Sequence, residues 1–162
     1  MKKFELTNEF ITNMFGTKLF RIRALVEFGD VEAGELGGYV EKESNLGHDD
    51  NAWVYDNAWV YGDAQVSGDA RVYGDARVCG NGDYAYAHGF GSVNRTTTFF
   101  RLKDGGVGVR CGCFYGTLAQ FRDKIRETHG ESAIAEEYLD LAALMEKRFR
   151  RTGNEQKTEE ES

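Results

Sequence analysis

Among 162 residues there is no proline, and cysteine, histidine and tryptophan are scarce at three, three and two. Absence of proline excludes polyproline and collagen-like structures. Cys79, Cys111 and Cys113 form an odd set, a poor disulfide framework that fits reduced thiols in a cytosol. No apolar run approaches the roughly 20 residues of a membrane helix. Met1 to Leu6 is followed by polar sequence, without the apolar core and small-residue cleavage site of a signal peptide. The expected location is therefore the cytoplasm, with no membrane partner. Positive charge is also in short supply, with 20 Lys and Arg against 27 Asp and Glu and a net charge of -7. That balance disfavours direct nucleic-acid binding, while leaving room for a local basic pocket.

What is present is glycine (20 residues) and a composition that is 41% hydrophobic and 13% aromatic. Such a chain is expected to fold as one compact, turn-rich domain, or as one domain with a small appendage. From Asn51 it repeats every six residues, as NAWVYD, NAWVYG, DAQVSG, DARVYG and DARVCG. Each unit carries an alanine (Ala52, Ala58, Ala64, Ala70, Ala76) two positions before a valine (Val54, Val60, Val66, Val72, Val78). Alternation puts alanine and valine on one face, and the Gly-Asx junctions supply corners. A period of six keeps no stripe on a helix of 3.6 residues per turn. It does suit a three-sided parallel coil of 18 residues. Residues 18 apart then stack, Trp53 on Arg71, Tyr55 on Tyr73, Trp59 on Arg77 and Tyr61 on Cys79. Two outer faces become aromatic and cationic, and a third, with Gln65 and Ser67, is bland. At the corners Asn51 falls over Asp69, Asn57 over Asp75 and Asp63 over Asn81, so no two carboxylates stack. Upstream, Val40 and Leu46 continue the alanine register at six-residue spacing.

The flanks read as caps. Residues 1–50 form an N-terminal β cap in which Phe20, Ile22, Ala24 and Val26 share one strand face. The repeats occupy 51–82. Residues 83–150 hold a crossover, a β-hairpin around Asp104-Gly105-Gly106, and two helices. Thr117 caps the first helix, with Leu118, Phe121 and Ile125 on its apolar face and Gly130 at its end. Ser132 caps the second, whose apolar face is Ile134, Tyr138, Leu141, Met145 and Phe149. Residues 151–162 form a polar tail without periodicity.

The stretch Gly34-Glu35-Leu36-Gly37-Gly38-Tyr39-Val40-Glu41, the repeats, and the closing Thr98-Phe99-Phe100-Arg101 and Cys111-Gly112-Cys113-Phe114-Tyr115-Gly116-Thr117 together resemble small hexapeptide-repeat proteins of bacteria, phages and prophages. The resemblance covers most of residues 1–145. It implies a left-handed coil and a homo-oligomer, a trimer by preference. The expected fold is therefore mainly β with C-terminal α: a short left-handed parallel β-helix between an N-terminal β cap and a C-terminal β-hairpin plus two helices.

No catalytic constellation is expected. His48, His88 and His129 lie in separate segments, and the repeats contain no histidine for a metal shared between coils. Cys111-Gly112-Cys113 lacks the spacing of a zinc knuckle. Asp104 to Gly108 lacks the Lys-Ser/Thr of a phosphate loop. Neither a metal nor a cofactor is predicted. An outward display of Trp53, Tyr55, Trp59, Tyr61 and Tyr73, with Arg71 and Arg77, points instead to contact. One account is self-association through cation-π stacks. The other is a ligand site between subunits, with a nucleobase held by aromatic planes and a phosphate by Arg71 or Arg77. The expected function is a non-enzymatic, homo-oligomeric binding protein, a phage-encoded anti-defence factor. It would sequester a nucleotide immune signal or occlude a host defence protein such as a CRISPR nuclease. Two alternatives are a reduced acyltransferase-like enzyme and a structural or assembly component of a phage.

Overall fold

The computed structural model describes residues 2–91, 93 and 95–161, with side chains as far as Gly153. Strands β1 (Phe4–Thr12) and β2 (Lys18–Ala24) form an antiparallel hairpin. Its turn is held by Asn13 Oδ1, which accepts from the backbone N–H groups of Phe15 and Thr17 at 3.0 Å each. Strand β3 (Leu36–Val40) pairs antiparallel with β2. Four two-residue strands follow in the repeats: β4 (Trp53–Val54), β5 (Trp59–Val60), β6 (Arg71–Val72) and β7 (Arg77–Val78). Parallel pairing joins β5 to β3 and to β7, which gives a five-stranded mixed sheet in the order β1-β2-β3-β5-β7. β4 and β6 make a separate parallel ribbon.

The expected short left-handed parallel β-helix is corrected by this topology. Parallel pairing is limited to β3, the two-residue strands and one isolated Leu46–Val66 bridge, and among the described residues no sheet is closed or solenoidal. The physical reason lies in the proportions of the chain. Five six-residue units provide only one or two rungs per column, whereas the N-terminal segment contributes longer strands. Those strands do not merely cap the repeats; through β3 they join them edge to edge and turn one face into a mixed sheet. Within that frame Trp53 pairs with Arg71 and Trp59 with Arg77, both offset by 18 residues. Val40 and Leu46 also depart from expectation. They align with Val60 and Val66, not with alanines. The connection from Gly47 to Asp50 is two residues longer than a repeat corner, which shifts the register.

Every repeat alanine and valine is at most 1% exposed. They form one core with Phe4, Ile22, Val40, Leu46 and Phe100. Small and branched side chains fill the narrow space between the short strands, where longer ones would not fit. Glycine is required at Gly38, where a Cβ would lie 2.5 Å from the Ala58 carbonyl oxygen and 2.7 Å from Val54.

The second half builds a separate core. Strands β8 (Tyr84–Phe90), β9 (Arg95–Arg101), β10 (Val107–Cys111) and β11 (Phe114–Thr117) form an antiparallel sheet in the order β11-β10-β9-β8. Helices α1 (Leu118–His129) and α2 (Ala133–Glu161) pack on it. Thr117 and Gln120 close a capping box at the start of α1, and Gly130 N–H donates to the Arg126 carbonyl at its end. Ser132 Oγ accepts from Ala135 N–H at 3.2 Å and so caps α2. Phe99, Val109, Phe121, Tyr138, Leu141, Met145 and Phe149 are buried between the sheet and the helices. α2 continues as far as Glu161, within the stretch read as a polar tail. Among the described residues no helix is long and apolar enough to cross a membrane.

The two halves meet at the last two repeats. Ala76 bridges to Leu102, Lys103 N–H donates to the Asp75 carbonyl, and Arg71 N–H donates to Thr98 Oγ1 at 3.1 Å. Arg101 fastens α2 to this junction, bonding Asp83 at 3.4 Å, the Phe149 carbonyl at 2.8 Å and Thr152 at 3.0 Å.

Candidate functional site

The first aromatic face is covered in part by the molecule itself, over Trp53 and Tyr73. Trp53 is 0% exposed, enclosed by Phe4 and Phe28 edges at 6.3 and 5.3 Å between ring centroids. Its indole Nε1 is buried with no acceptor among the described residues. The expectation that Trp53 stands on the outer surface is thus overturned. β1 and the loop before β3 supply the cover, and neither belongs to the repeat. Tyr73 is also buried, at 8% exposure. Tyr55 lies flat on Tyr73, 4.0 Å between centroids and 4° between planes. That spacing is aromatic contact and leaves no slot for a third ring. The Arg110 guanidinium sits over Tyr73 at 4.4 Å. Tyr55 donates to Asp30 at 2.7 Å, and Arg71 reaches the other oxygen of the same carboxylate at 3.4 Å. Arg71 is committed to Asp30 and makes no stack on Trp53 like that expected from the column. Burial, reinforced by Asp30, holds the Tyr55 phenol far above its ordinary range. Burial also raises Tyr73, against the opposing field of Arg110.

The second face is different. Trp59 and Tyr61 are half-buried on the outer side of the five-stranded sheet. The Arg77 guanidinium lies 3.8 Å over the Trp59 ring, and Tyr61 meets Trp59 edge-on at 6.3 Å. Desolvation lowers the Arg77 pKa, with Asp75 opposing the effect. Burial next to Cys79 pushes the Tyr61 phenol up to about 12. The register carries this row across the sheet, from Arg77 to Trp59 to Tyr39 to Arg21. Arg21 lies 4.4 Å over the Tyr39 ring, donates to Tyr39 Oη and Asn57 Oδ1 at 2.6 and 3.1 Å, and pairs with Glu9. A continuous band of guanidinium, phenol, indole and guanidinium results.

Of the seven residues singled out in the sequence, the structure buries Trp53 and Tyr73 and leaves Tyr55 and Arg71 half-buried beside them. Trp59, Tyr61 and Arg77 remain on the open face. Arg21 and Tyr39 of the band, and Arg110 on the covered side, were not singled out. They lie outside the repeats, and only strand pairing brings them in. The one available signal was alternation in β2, which points Arg21 away from the core side of Phe20 and Ile22. Among the described residues there is no cluster of three or more His, Cys, Asp or Glu arranged to hold a metal.

The family model described as YdcK Beta solenoid repeat matches residues 64–80. This stretch, which includes β6 and β7, is therefore similar to a β-solenoid repeat. No curated protein matches the chain.

Proposed function

We propose that the protein is a non-enzymatic binding protein of the hexapeptide-repeat kind that works as a homo-oligomer. Its contact surface is the open face carrying Arg21, Tyr39, Trp59, Tyr61 and Arg77. The observation that carries this reading is the band itself. Half-buried Trp59, Tyr61, Arg21 and Arg77 surround the buried Tyr39 on a sheet face that no other described segment covers. Aromatic and arginine side chains are the residue types that dominate interface energetics. A second copy suits the face by charge, because each copy also offers exposed acidic corners at Asp56, Asp63 and Asp75 for the arginines.

Light scattering coupled to size exclusion tests this directly. The wild-type protein is expected to run as an oligomer, and Trp59→Ala with Arg77→Ala to run as a folded monomer. A monomeric wild-type protein at micromolar concentration would overturn the assembly. In its fuller form the proposed function is anti-defence in a phage-infected cell. An acidic oligomer of net charge -7 per chain would occupy the basic nucleic-acid channel of a host effector. Phage plating on strains that differ in one defence system is expected to show rescue by the expressed protein. Equal plating on all of them would remove the anti-defence role.

A further inference from the structure

A concavity lies in the second core, between the β10–β11 hairpin and the helices. Its volume of about 380 Å³ lies in the range of small-molecule sites. Phe114, Phe121 and Ile125 provide apolar walls, and Arg95, Lys124 and His129 bring donors to it. The chain has a net charge of -7, yet no carboxylate lines this cleft among the described residues. Arg95 and Lys124 are exposed, and among the described residues neither has an ion-pair partner.

The polar floor is oriented. Thr97 Oγ1 donates to Cys111 Sγ at 3.3 Å, and that thiol donates to the Tyr138 hydroxyl at 3.7 Å. The hydroxyl proton of Tyr138 is then left for an acceptor in the cleft. The Tyr138 ring is flanked by His129 at 6.0 Å and 25°. Two turn glycines make room at the mouth. A Cβ at Gly91 would collide with the Tyr138 hydroxyl, and one at Gly112 with the Arg95 guanidinium.

We infer that this cleft binds a small planar molecule carrying a phosphate group, the ring against Phe114 and Phe121 and the phosphate among Arg95, Lys124 and His129. A guanidinium, an ammonium and an imidazole together match a dianionic phosphate better than a single carboxylate. The Tyr138 hydroxyl adds a neutral donor. The site lies on one chain and does not rest on the oligomer proposed above. Monomeric Trp59→Ala, Arg77→Ala protein is expected to bind the same ligand.

Calorimetry on the full chain with adenosine 5′-monophosphate, phenyl phosphate, adenosine and inorganic phosphate tests the inference. Either aromatic phosphate is expected to bind more tightly than adenosine or phosphate alone. Arg95→Gln and Lys124→Ala should each weaken that binding about tenfold, as loss of a charge-assisted hydrogen bond does. Both side chains are exposed, so circular dichroism should be unchanged. Cys113 is an exposed thiol in the cleft lining, and its alkylation is expected to slow when ligand is present. Failure of both aromatic phosphates to bind, or binding indifferent to both substitutions and to Cys113 accessibility, would overturn the site.

Discussion

Two consecutive repeats, Asn51 to Asp56 and Asn57 to Gly62, differ only at their last residue, yet their tryptophans meet opposite fates. Trp53 is sealed at 0% exposure beneath Phe4 and Phe28, while Trp59 remains half-buried under a single guanidinium. Local sequence sets strand, corner and inward face in both. The cover is non-local and decides which aromatic is core and which is surface. A repeat therefore specifies its interior more tightly than its exterior.

Substitutions can break this contrast in graded steps. The largest loss is expected from Trp53→Ala, about 3–5 kcal/mol by urea unfolding, because it opens a cavity in a closed core. Trp59→Ala should cost about 1–2 kcal/mol, since part of its ring is already hydrated. Equal losses would mean that the two faces are alike. Next in size is Gly38→Ala, expected to cost about 1–3 kcal/mol through the clash with Ala58 and Val54. The same assay reads it, and an unchanged midpoint would deny the close approach of β3 to the repeats. Arg77→Ala should cost only about 0.5–1 kcal/mol, the scale of an exposed cation-π contact. It should leave Trp53 emission untouched.

Alkaline titration sharpens the comparison further. The Tyr61 phenol is raised from its ordinary 10.0 to about 12. Above about pH 10 the unfolded chain releases that proton before the native one does, so stability falls as pH rises from about 10 to 12. Urea midpoints measured across this interval should decline less steeply in Tyr61→Phe than in wild type. Identical slopes would show that Tyr61 is as well hydrated as a free phenol.

Legibility in the sequence followed the same division. Alanine and valine at every repeat and the apolar faces of α1 and α2 were readable, because burial there follows from spacing along one element. The caps at Thr117 and Ser132 were readable for the same reason. The β-helix expectation failed because spacing inside the repeats says nothing about how β1, β2 and β3 use the sheet edge beside them. Trp53 and Tyr73 were misplaced on the surface for want of Phe28, Asp30 and Arg110, which lie outside the repeat. Arg95, Lys124 and Tyr138 come from three different elements. No pattern along the chain links them, and only the packing of helices on sheet brings them to one cleft.

The most direct measurement uses Trp59→Phe protein, in which Trp53 is the sole indole. Its emission is expected to be blue-shifted and nearly insensitive to acrylamide, moving to the red only when Phe28→Ala is added. Red-shifted, freely quenched emission from Trp53 in the folded Trp59→Phe protein would contradict the covered first face, and with it the separation of the two faces.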